Sequence, residues 1–188
     1  MTEEFEGAPV VHDDPAGAWR AWLADHHATA ASVWLVIPRD RRQGYVDAVC
    51  EALCFGWVDS VTKPRDEQTR YQRFSPRRPG STWVKSNRER VAVLIEQGRM
   101  ADAGMRVVEE AKAAGTWDLF AEVEEGIVPD DVQAALDAVP AAAVGFAAFP
   151  PSARLQILIW ILRAKRPETR AQRIAVTVEK AARGERSQ

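Results

Sequence analysis

Cysteine is scarce in this sequence, with two residues in 188, Cys50 and Cys54. So low a count excludes a disulfide-stapled scaffold and fits a reduced compartment. Long apolar runs are absent as well. The richest stretch, LQILIWIL, is eight residues long, against the ~20 needed to cross a bilayer. It reads as a buried helix, and no membrane insertion is expected. The opening, MTEEFEGAPVVHDDPAG, is acidic and has no apolar core, unlike a secretory signal peptide. The expectation is a cytoplasmic protein.

Histidine is also rare, with three in the chain, and His26-His27 is the only adjacent pair. Adjacent side chains on a helix diverge, and no cysteine motif lies nearby, so no metal site is expected. The chain has no phosphate-cradling glycine loop, no nucleophile elbow and no zinc-protease motif. No cofactor is expected.

What is present is the composition of a globular chain, 46% hydrophobic and 28% charged. The net charge of −2 conceals strong segregation. Lys63 to Arg99 holds ten Lys/Arg against four Asp/Glu, and Arg154 to Arg183 holds eight against two. Val107 to Pro140 holds one against nine, and the first 26 residues one against six. Such blocks either pair with one another across the surface or form a basic face for an anionic ligand.

Periodicity sets the expected elements. Residues 1–13 read as a disordered acidic tail, and Asp14-Pro15 as a helix start ahead of Trp19, Trp22 and Leu23. SVWLVIP at 32–38 reads as a strand that Pro38 ends. Val46, Val49, Cys50, Leu53, Cys54 and Trp57 give one buried helical stripe, with Gly56 as its stop. Both cysteines lie on that stripe, as buried, inert thiols. WVDSVTK and TRYQRFS read as two strands joined by KPRDEQ. A helix from Ser86, where the spacing is that of a capping box, or from Ser81, runs to Gly98. Five helices follow, at Asp102–Ala114, Asp130–Ala138, Ala141–Phe149, Ala153–Ala164 and Thr169–Ala182. The fold class is therefore α+β, with a small antiparallel sheet of about three strands and helices in the N-terminal half, and then a helical C-terminal half. The division expected is a tail at 1–13, an α+β domain at 14–106 and a helical region at 107–188 packed on it.

One stretch concentrates chemistry: SPRRPGSTWVKSN, Ser75 to Asn87. With the adjoining strand it offers Arg73, Arg77 and Arg78, whose planar guanidinium groups suit phosphate or carboxylate. Trp83 could stack on a ring. Ser81, Ser86 and Asn87 could donate to an anion at a helix start. Arg73, Arg77, Arg78, Ser81, Trp83 and Asn87 are thus the candidate ligand-binding residues. The competing reading is a structural clamp, in which the arginines grip the acidic 107–140 segment and Trp83 is core. Asp59, in WVDS, is the weak candidate for a catalytic base, although arginines nearby would favour ion pairing over proton abstraction. Tyr45 and Tyr71 are possible companions in the same pocket. Lys165, Arg166, Arg170 and Arg173 form a second basic segment, read as a solvated face or as an extension of the first patch.

Taken in order, GYVDAVCEALCFGWVDS, YQRFSPRRPGSTWVKSNRERVAVLIEQGRMADAG, AKAAGTW and WILRAKRPETRAQRI resemble the YdeI/OmpD-associated, or bacteriocin-protection, family, from about Trp19 to the C-terminus. The resemblance implies a role in stress or antimicrobial-peptide protection. It brings no reaction or cofactor with it. The reading that follows is a protein binding an anionic small molecule or an acidic protein partner. Nucleic-acid binding through the two basic segments, and an enzyme built on Asp59 and the arginines, are the alternatives. Oligomeric state is left open.

Overall fold

The computed structural model describes residues 3–12, 17–40 and 42–187. The chain forms two compact units, Met1–Trp117 and Asp118–Gln188. The first holds strands β1 (Glu4–Phe5), β2 (Ala8–His12) and β3 (Val33–Pro38), with helix α1 (Ala18–His26) between β2 and β3. Helix α2 (Arg42–Cys54), strands β4 (Trp57–Pro64) and β5 (Thr69–Pro76), and helices α3 (Lys85–Glu96) and α4 (Asp102–Ala113) complete it.

The sheet has five strands in the order β1-β2-β3-β5-β4. β2 and β3 are parallel, and the other pairs are antiparallel. Two expectations are corrected here. The sheet is mixed rather than antiparallel, and the segment expected as a disordered tail supplies two of its strands. In APVVH, Ala8 and Val10 alternate into a buried face, and the acidic residues around them masked that alternation. Parallel pairing then follows from α1, which carries the chain back to start β3 in the same direction. The expected helix start at Asp14-Pro15 lies outside the described residues.

The sheet separates two apolar clusters. Val33, Leu35, Ile37, Phe74 and Trp57 pack with Trp19, Leu23, Val49, Leu53, Trp83, Val91 and Leu94 in the main core. Ala8, Val10, Trp34, Val36 and Tyr71 form a smaller cluster with Phe5. β3 is therefore buried on both faces, which is why VWLVI is a continuous apolar run and not an alternating one. Two buried indoles find acceptors across the core: Trp19 Nε1 donates to the Ala48 carbonyl at 3.0 Å, and Trp57 Nε1 to the His27 carbonyl at 3.2 Å.

α4 belongs to the first unit, which moves the expected boundary after residue 106 to after Trp117. The cause is local. α4 crosses the end of α2 so closely that a Cβ on Gly104 would sit 2.2 Å from the Cys54 carbonyl oxygen. Charge composition changes sign at Val107, but packing continues to Trp117.

The second unit is helical: α5 (Ala121–Glu124), α6 (Asp130–Asp137), α7 (Pro140–Ala148), α8 (Pro151–Leu162) and α9 (Pro167–Ala182). α7, α8 and α9 each start with proline in the first turn, where the missing N–H costs nothing. Among the described residues no single helix is long and apolar enough to cross a membrane, and the consecutive pair α7 and α8 is bent by 119°.

Candidate functional site

Arg77 follows β5, and its backbone N–H donates to the Gly56 carbonyl at 2.9 Å. The next residues turn sharply. Ser81 N–H donates to the Arg78 carbonyl at 3.0 Å, with Pro79 and left-handed Gly80 (φ 73°) between them, as a tight turn of this sequence type requires. The turn returns the chain to Trp83, which is 1% exposed. Its backbone N–H donates to the Thr116 carbonyl at 3.3 Å, and its own carbonyl accepts from Arg88 Nη1 at 2.9 Å.

Here a column of side chains forms. The Arg77 guanidinium lies over the Trp83 ring at 3.6 Å, the Trp83 and Trp117 rings are 4.8 Å apart, and Lys112 Nζ lies 5.4 Å from the Trp117 ring. Arg77 Nη1 donates to the Thr82 carbonyl at 3.3 Å, while its buried Nε has no hydrogen-bond partner. Burial pushes the Arg77 pKa down from 12.5 to about 10, and the Asp59 charge partly offsets this. Arg77 therefore keeps its charge at neutral pH. Among the described residues neither Arg77 nor Arg78 makes an ion pair with an acidic side chain. The backbone bond from Trp83 to Thr116 ties this stretch to the segment just after α4.

A cavity of about 250 Å³ adjoins the column, lined by Arg77, Arg78, Pro79, Gly80, Ser81 and Trp83 on one side. Val107, Glu110, Ala111 and Ala114 of α4 and its C-terminal edge line the other. Four of the six candidate ligand residues thus converge. The other two do not. Arg73 alternates with Phe74 and points to the opposite face of the sheet. There its guanidinium lies 5.8 Å from the Trp34 ring and donates to Ser32 Oγ at 3.0 Å. Asn87 is buried in the first turn of α3 and accepts from Arg90 Nη1 at 2.7 Å. The capping box expected at Ser86 does not form: α3 begins at Lys85 behind Val84, with no side-chain cap.

Asp59 pairs in register with Phe74, on the helix side of the sheet, where a bulge between Asp59 and Thr62 interrupts the ladder. Tyr45 of α2 donates its hydroxyl to Asp59 Oδ2 at 2.6 Å. Burial, then that hydrogen bond and the Asp59 charge, push the Tyr45 pKa from 10.0 to about 12, so Tyr45 is a protonated donor at neutral pH. Arg70 stands 5.5 Å from the Tyr45 ring. Tyr71 is not a companion of this pair. It packs in the other cluster, stacked 4.3 Å from Phe5. Cys54 is buried and Cys50 half-buried, and burial pushes both thiols up.

In the second basic segment, Arg170 holds Asp131 with two hydrogen bonds of 2.7 and 2.8 Å. Arg173 donates to the Trp160 carbonyl and lies 4.9 Å from its ring. Lys165 and Arg166 are exposed. Among the described residues no cluster of His, Cys, Asp and Glu could hold a metal ion.

Sequence reasoning missed Glu110 and Trp117. Only AKAAGTW, with a tryptophan just past a glycine stop, hinted at a site wall there. Comparison with known proteins bears on each unit. No curated protein and no solved structure matches the chain. Residues 125–184 match the family model described as bacteriocin-protection, YdeI or OmpD-associated, a partial match that contains WILRAKRPETRAQRI. Residues 11–107, just over half of the chain, match the model of a domain of unknown function (DUF8412). The resemblance to the bacteriocin-protection family is thus shown over the second unit, and by its N-terminal half the chain belongs to the DUF8412 family.

Proposed function

We propose that the protein binds a small anionic ligand in the cavity beside Trp83, with Arg77 and Arg78 as its cationic wall. One observation carries this reading: Arg77 is a largely buried guanidinium with a free Nε donor, bordering a cavity and lacking a contacting counter-ion. Buried charges are normally paired and fully hydrogen-bonded, because leaving them otherwise is costly. A carboxylate or phosphate in the cavity would complete the site, and the Trp83 face fixes the guanidinium plane in advance. Ser81 adds a hydroxyl at the rim. Arg73, Asn87 and Asp59 serve the scaffold in this reading. The match of residues 125–184 suggests that the binding serves protection against antimicrobial peptides.

The test is a thermal-shift and calorimetric series with inorganic phosphate, succinate and a short oligonucleotide. A ligand of the native state raises the melting temperature by mass action. Phosphate or succinate should bind wild type and lose affinity in Arg77→Lys, which keeps the charge but not the planar fork. Absence of binding to every anion at millimolar concentration would reject the reading. Oligonucleotide binding that weakens steeply with salt would favour a nucleic-acid ligand instead.

A further inference from the structure

The cavity wall facing the arginines is not neutral. Glu110 of α4 lines it and is exposed, and its side-chain carboxylate makes no ion pair or hydrogen bond with any described residue. A carboxylate left free within one small cavity that also holds Arg77 and Arg78 is unusual if the ligand is a simple anion. Uncompensated, it would repel that anion and weaken binding. The two signs are held apart by the architecture. Arg77 lies over the Trp83 ring and is tied to the Thr82 carbonyl, and Glu110 projects from α4 on the facing wall. The cavity, about 250 Å³, is at the small end of the range of ligand sites.

Resting on the anion reading above, we infer that the ligand is a small zwitterion of amino-acid size. Its carboxylate or phosphate meets Arg77 and Arg78, and its ammonium group meets Glu110. The Trp83 ring and the small side chains of Ala111 and Ala114 leave room for a short aliphatic body between the two charges.

Calorimetry with matched pairs of probes tests this: propionate against β-alanine, and ethyl phosphate against phosphoethanolamine. Each pair differs mainly in the ammonium group, and the two pairs distinguish a carboxylate source from a phosphate source. The zwitterion of at least one pair should bind wild type about fivefold more tightly than its partner, the worth of one partly exposed ion pair. Glu110→Gln, a change at an exposed position, should abolish that preference by weakening the zwitterion and strengthening the plain anion. Arg77→Lys should weaken both members of the pair. If anions bind in an Arg77-dependent way but zwitterions bind no better, and Glu110→Gln changes nothing, the inference is overturned and the anion site stands. If no probe binds wild type, both fall together.

Discussion

The guanidinium of Arg77 stands 3.6 Å from the centre of the Trp83 ring, and the Trp117 ring lies 4.8 Å from it. Trp83 is therefore at once a core residue of the main cluster and the platform that orients the candidate ligand-binding arginine. Removing it should cost both functions. Trp83→Ala should destabilise the first unit by about 3–5 kcal/mol, as for other buried aromatic truncations. Trp83→Phe should retain most of the packing while loosening Arg77, with a smaller stability loss and weaker anion binding. Urea denaturation and calorimetry on the two variants separate these effects.

Tyr45 and Asp59 give the protein an alkaline limit. The Tyr45 pKa is raised in the fold, to about 12, above its ordinary 10.0. Folding therefore favours the protonated hydroxyl. Its contribution is fully present below pH 10 and is lost as pH rises toward 12. The chain has two tyrosines, so the difference between the ultraviolet pH titrations of wild type and Tyr45→Phe isolates this group. A Tyr45 midpoint at its ordinary value would contradict the geometry. At neutral pH, Tyr45→Phe should cost on the order of 1 kcal/mol, because Asp59 loses its donor.

Gly104 is where α4 crosses the end of α2. A Cβ there would lie 2.2 Å from the Cys54 carbonyl oxygen and 2.8 Å from that of Leu53. Both are backbone atoms and cannot rotate away. Gly104→Ala, normally favourable within a helix, should instead destabilise by roughly 1–3 kcal/mol or more through overpacking. A melting temperature equal to or above that of wild type would show that the two helices are not in contact.

Glu51 joins three elements of the first unit. Its carboxylate accepts from Arg20 Nη1 at 2.6 Å and from Arg99 Nη2 at 2.5 Å, while Arg20 Nη2 also donates to the Arg99 carbonyl at 2.9 Å. Its side chain is 20% exposed, so salt screens the network less than it would a surface pair. Glu51→Gln should cost on the order of 1–3 kcal/mol, since it leaves two guanidinium groups short of a counter-charge. The loss should persist in high salt. A loss that vanishes with added salt would place Glu51 among ordinary surface charges.

How much of this was legible in the residues depends on the range of the interactions. The α2 stripe from Val46 to Cys54, its stop at Gly56 and the strand end at Pro38 were readable because each rests on local chemistry: 3.6-residue periodicity, a left-handed glycine, a proline without a donor; Trp57, expected to extend that stripe, instead opens β4. The Pro79-Gly80 turn was equally plain. The strand at Ala8–His12 was not. It is five residues long beside an acidic stretch, and what makes it a strand is pairing with β3, more than twenty positions along the chain. Likewise the change of charge at Val107 suggested a boundary, but the close approach of Gly104 to Cys54 kept α4 in the first unit.

The same division runs through the site. The sequence alone determined that Arg77, Arg78, Ser81 and Trp83 would stand together, because one tight turn brings them there. It also determined that the chain offers no metal-ligand or nucleophile motif to read chemistry from. Only the tertiary structure decided that Arg73 faces the other side of the sheet, that Tyr45 and not Tyr71 meets Asp59, and that Glu110 lines the cavity wall facing the arginines. The reason is physical. Strand parity, helix packing and the choice of acceptor for each buried donor are settled by contacts between segments distant in sequence, and no local pattern of residues encodes them.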